Sequence, residues 1–121
     1  MKKAAIVIGK QSAGKSTTIK KFKALVDMDG EHKFNLNGKI GFLLSCSMEE
    51  RGLDPEKTID KRQDYDLLVL ACRGPELDAL HDALRERNFS IKDFKVQRES
   101  GDFEAHKEES AKGILRFFSS N

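Results

Sequence analysis

The chain has 121 residues, 38% of them hydrophobic and 35% charged, with a net charge of +2. That length predicts one domain over residues 1–121, able to bury about two-thirds of its unfolded surface, and excludes an appended substrate domain. No run approaches the roughly eighteen apolar residues of a membrane span, and the apolar run after Met1-Lys2-Lys3 ends at Ile8 with no small-residue cleavage site, so a cytoplasmic protein with no membrane partner is expected.

In chain order, Ala4 to Ile8 predicts a short buried strand. Gly9-Lys10-Gln11-Ser12-Ala13-Gly14-Lys15-Ser16 follows, a full match to G-x-x-x-x-G-K-[ST]. Chance gives this pattern in only about one in several hundred chains of this length. Ile19, Phe22, Leu25 and Val26 then recur at helical spacing, which completes the strand, glycine loop and helix that the motif requires. Its chemistry follows from the residue types. Glycines let several backbone N–H groups converge on a polyphosphate without a Cβ in the way. Lys15 would reach the β- and γ-phosphates, Ser16 would offer its hydroxyl to Mg²⁺, and the helix start would aim its partial positive charge at the anion. The expected nucleotide-binding residues are Gly9, Lys10, Gln11, Ser12, Ala13, Gly14, Lys15, Ser16 and Thr17, with Ser16 as the metal ligand.

Asn37-Gly38, between Lys33 to Leu36 and Lys39 to Leu44, predicts an antiparallel hairpin whose more polar first arm lies at the sheet edge. Asp54-Pro55 signals a short helix to about Arg62. Leu67 to Cys72 is the strongest buried-strand run, and after Arg73-Gly74-Pro75 a helix is expected with Leu77, Leu80 and Leu84 inward. Asn88 would end it. Ile91 to Val96 supplies a last strand, and after Ser100-Gly101-Asp102 a long helix carries Phe103, Ala111, Ile114, Leu115 and Phe118 in one stripe. That stripe fits packing on the sheet, with a dimer contact through Phe117 and Phe118 as the alternative. Strands alternating with helices predict an α/β fold, a three-layer α/β/α sandwich with a mostly parallel sheet and an antiparallel edge hairpin.

Gln11 to Ser16 after Val7-Ile8-Gly9 resembles the phosphate loop of dynamin-like and other GTPases, and the octet resembles the Walker A motif of the P-loop NTPase superfamily at large. The likeness covers about a dozen residues and implies nucleoside triphosphate and Mg²⁺ as ligands. The guanine-reading N/T-K-x-D of those GTPases has no counterpart here, which favours ATP over GTP. Asp27-Met28-Asp29-Gly30 spells D-x-x-G but is expected at the end of the first helix, away from where those GTPases carry it. Lys10 also falls where ATPases of the nitrogenase iron protein and chromosome-partitioning type place a second lysine, although Gln11 and Ser12 stand where those have glycines.

The carboxylate that a P-loop enzyme sets at the end of a strand to help hold Mg²⁺ is not evident. Asp64 and Asp66 stand at the beginning of the Leu67 to Cys72 run. Glu49 is a candidate to order the metal's shell or a water, and Arg73 to stabilise phosphoryl charge. With Lys15 they form the expected catalytic set of a slow ATPase or small phosphotransferase. Two other readings stay open, a nucleotide-responsive module with little turnover and a nucleic-acid-associated accessory protein. For the last, residues 1–33 hold eight lysines against three carboxylates, but a run such as Lys20, Lys21 and Lys23 is usually a solvated face and nucleic acid is not favoured. A homodimer or protein partner is expected to support any activity in so small a chain. Cys46 and Cys72 read as buried free thiols, and the three histidines lack ligand spacing, so no protein-built metal site is expected.

Overall fold

The first apolar run forms β1 (Lys2–Ile8), whose residues 3 to 7 are all buried. The computed structural model describes residues 2–9, 15–47, 52, 54–96 and 103–120, with backbone alone for residues 16, 45–47 and 103–107. On one side β1 pairs in parallel with β5 (Leu67–Cys72), a strand buried at every position. On the other it pairs in parallel with β6 (Phe89–Lys95). β4 (Lys39–Ser47) runs parallel beyond β5. Strands buried on both faces need apolar residues at successive positions. Ala5, Val7, Val69 and Ala71 accordingly join one core cluster while Ala4, Ile6, Leu68 and Leu70 join another.

The helices divide between these clusters. Ile19 and Phe22 of α1 (Lys15–Lys23) lie in the first, and Ile59 of α2 (Pro55–Lys61) in the second. Leu80, Ala83 and Leu84 of α3 (Leu77–Glu86) also lie in the second, whereas Ala111, Ile114 and Phe118 of α4 (Phe103–Ser119) return to the first. The predicted cap is present, since Asp54 accepts from Lys57 N at 3.0 Å with Pro55 opening α2. Arg87, just past α3, then reaches Asp60 of α2 at 3.3 Å.

The hairpin forms as expected between β3 (Lys33–Leu36) and β4, with Leu36 opposite Lys39 and positive φ at Asn37 (53°) and Gly38 (80°). Such angles suit the tight turn that matches strand twist. Its first arm is not the edge, however. Asp27–Asp29 forms β2, antiparallel to β3 with Met28 opposite Phe34, and the order among the described residues is β2-β3-β4-β5-β1-β6. Asp27-Met28-Asp29-Gly30 is therefore an edge strand and turn, not a helix end. Pairing with β3 overrides helical spacing here, a contest that local pattern does not decide. α1 stops at Lys23, leaving Leu25 37% exposed and outside it. Three residues flanked by charge suit an edge that must not recruit further strands. β6 likewise begins at Phe89, two residues before the expected start, because Phe89 is buried against α3.

At the amino end of the sheet Lys3 is 3% exposed. Its ammonium donates to Phe117 O at 2.8 Å, to Ser120 Oγ at 3.0 Å and to Ser120 O. A cation at the last carbonyls of α4 satisfies acceptors that the helix leaves unpaired and complements its dipole. Lys3→Met is expected to cost about 2 kcal/mol, the scale of a charged hydrogen bond lost from a buried site. Urea unfolding reads this as a lower midpoint, and an unchanged midpoint would mean that α4 closes without the ammonium. Phe118 is buried in the core, as packing on the sheet requires, and Phe117 packs against the same cluster. Among the described residues no helix is long and apolar enough to cross a membrane.

Candidate functional site

β1 and β5 are neighbours whose following helices leave for opposite core clusters, α1 for one and α3 for the other. In open parallel sheets such a divergence opens a crevice beyond the carboxyl ends of the strands, where ligands bind. Three strand ends meet there. Gly9 N donates to Cys72 O at 3.0 Å, and Val96 N donates to Ile8 O at 2.8 Å, so the ladder continues one residue past β1 and β6.

Lys15 opens α1 directly over this junction. It is 6% exposed, and its ammonium donates to Gly9 O at 2.5 Å. Burial obliges the charge to find acceptors, and it finds one at the first residue of the glycine loop. The placement runs against local preference. The first turn of α1 contains no acidic residue, so a cation sits at the end that the helix dipole already makes positive. An anion over the loop would relieve both. A conflict of this kind between local rule and structure marks functional sites.

Of the other expected nucleotide contacts, Thr17 lies half-buried in the first turn of α1, and Thr18 after it is fully buried. Ser16 is placed in α1 by its backbone. Lys10, Gln11, Ser12, Ala13, Gly14 and Glu49 lie outside the described residues. Arg73 is half-buried and follows Cys72 at the end of β5, so its backbone shares the crevice with Gly9. Asp66 is held at the other end of β5, where its carbonyl accepts from Lys3 N at 2.9 Å. That end is remote from Lys15.

One residue was not singled out from the sequence. Glu76 is the residue before α3, and Leu80 N donates to its carbonyl at 3.0 Å, but its side chain makes no cap hydrogen bond. Its Oε2 is buried without a hydrogen-bond partner. A glutamate at a helix start reads from sequence as a dipole partner, and only the surroundings of the oxygen distinguish it. Gly74, with φ of 129°, turns the chain from β5 into this helix. No side chain but hydrogen reaches that conformation readily.

Comparison with protein-family models, curated proteins and solved structures gives no match to the chain.

Proposed function

We propose that the chain is a P-loop domain, a three-layer α/β/α sandwich that binds a nucleoside triphosphate with Mg²⁺ through Gly9 to Thr17, ATP in preference to GTP. The observation that carries this reading is Lys15, a buried cation at the positive end of a helix, held on the carbonyl of Gly9. Position in the sheet and the G-x-x-x-x-G-K-S octet support it independently, the one from topology and the other from residue type.

Lys15 would exchange its contact at the loop for phosphate oxygens, and Ser16 would supply a hydroxyl to Mg²⁺. Arg73 would offset phosphoryl charge, which is the main contribution a protein makes to this chemistry. Hydrolysis is slow in this account and Glu49 is a water-ordering candidate. The chain lacks the N/T-K-x-D that hydrogen-bonds guanine, so GTP has no advantage at the base.

Equilibrium titration with ATP·Mg²⁺ and GTP·Mg²⁺ tests the reading. Saturable binding of ATP is expected at one site, with GTP no tighter. Tighter GTP binding would overturn the base assignment, and no binding of either would overturn the function.

A further inference from the structure

We propose that Glu76 is the carboxylate that serves the Mg²⁺ of the bound triphosphate, an inference that rests on the nucleotide reading above. Two consecutive hydrogen bonds tie Lys15 to the strand that leads to it. The ammonium donates to Gly9 O, and Gly9 N donates to Cys72 O. Glu76 lies four residues beyond Cys72, at the carboxyl end of β5, whereas Asp66 lies at the opposite end.

The side chain itself gives the second reason. Serine, threonine, aspartate and asparagine in the cap position spend their side-chain oxygen on an N–H of the first helical turn, a role for which the longer glutamate is not favoured. Glu76 makes no such bond, and its Oε2 is buried with no hydrogen-bond partner. A carboxylate oxygen removed from water without a donor is costly, and in a folded protein it calls for a functional explanation. Mg²⁺ bound to phosphates supplies one. It keeps several waters, takes hard oxygen donors and needs only one or two carboxylates besides the nucleotide. Glu76 and the Ser16 hydroxyl are donors of that kind. A metal-bound water would donate the hydrogen bond that Oε2 lacks.

Calorimetric titration with a non-hydrolysable ATP analogue, in excess Mg²⁺ and separately in EDTA, reads this role without reference to turnover. Wild type is expected to bind about tenfold more tightly with Mg²⁺, a coupling of ordinary size between two ligands. Glu76→Gln keeps the size of the side chain, and Glu76→Ser places a favoured capping residue at the same helix start, so the fold is retained by two routes. Both variants are expected to bind the analogue in EDTA at least as well as wild type and to lose most of the Mg²⁺ gain. Retention of the full gain in both would overturn the role of Glu76 while leaving nucleotide binding intact. Failure of wild type to bind under either condition would overturn the nucleotide reading, and the role of Glu76 with it.

Discussion

Phe34→Ala is expected to lower the unfolding free energy by about 4 kcal/mol, the loss typical of a large aromatic removed from a well-packed core. Phe34 is fully buried at the meeting point of three distant segments. Its ring lies edge-on to Phe22 of α1 at 5.3 Å and 84°, and stacks on Phe118 of α4 at 6.2 Å and 17°. Phe22 and Phe118 meet each other edge-on at 5.8 Å and 82°. Offset and edge-to-face aromatic pairs contribute beyond the area they bury, so one truncation removes two such contacts and leaves a cavity between α1, β3 and α4. A domain of this size has only roughly 5–15 kcal/mol of stability. Urea unfolding followed by circular dichroism is expected to show a much lower midpoint at unchanged slope. A shift of less than about 1 kcal/mol would mean that the core collapses into the space, the low end of what such sites show.

Gly41→Ala is expected to destabilise by about 3 kcal/mol, although alanine is ordinarily the better residue in a strand interior. Gly41 sits opposite Phe34 in the β3–β4 ladder, and a Cβ built on it would lie within 3.0 Å of three carbons of the Phe34 ring. The ring has nowhere to retreat, since Phe22 and Phe118 already contact it. The two substitutions should therefore be strongly non-additive. With Phe34 reduced to alanine the clash disappears, and adding Gly41→Ala to that background is expected to be neutral or stabilising. A double-mutant cycle measures this coupling directly. Additive losses would show that Gly41 is needed for some reason other than the approach of Phe34.

Local sequence was sufficient where local chemistry decides. The apolar runs that became β1 and β5, the Asn37-Gly38 turn and the Asp54-Pro55 helix start all depend on residues within a few positions of one another. The edge strand β2 was not legible because its single apolar residue, Met28, gains its place only by pairing with Phe34 and packing beside the core. Phe118 illustrates the same limit at the other end of the chain. Its spacing marks an inward face of α4, but only the fold reveals that Phe22 and Phe34 are the rings it packs against.

The candidate site divides in the same way. Lys15 was legible because backbone wrapping, a cation and a hydroxyl are encoded in eight consecutive residues. Glu76 was not, because nothing in its residue type tells a carboxylate that merely precedes a helix from one whose oxygen is buried without a partner. Arg73 was legible at the end of the Leu67 to Cys72 run, and the register of Cys72 beside Ile8 sets that end next to the end of β1.

The most direct measurement is calorimetric titration of wild type and Lys15→Ala with ATP·Mg²⁺, with circular dichroism confirming that both are folded. Saturable binding by wild type, weakened in Lys15→Ala by about 2 kcal/mol or more, is the expected result, because the substitution removes a charged contact to phosphate. In affinity that is a loss of about thirtyfold. Equal affinities in the two proteins would contradict the assignment of Lys15, and with it the nucleotide site built around it.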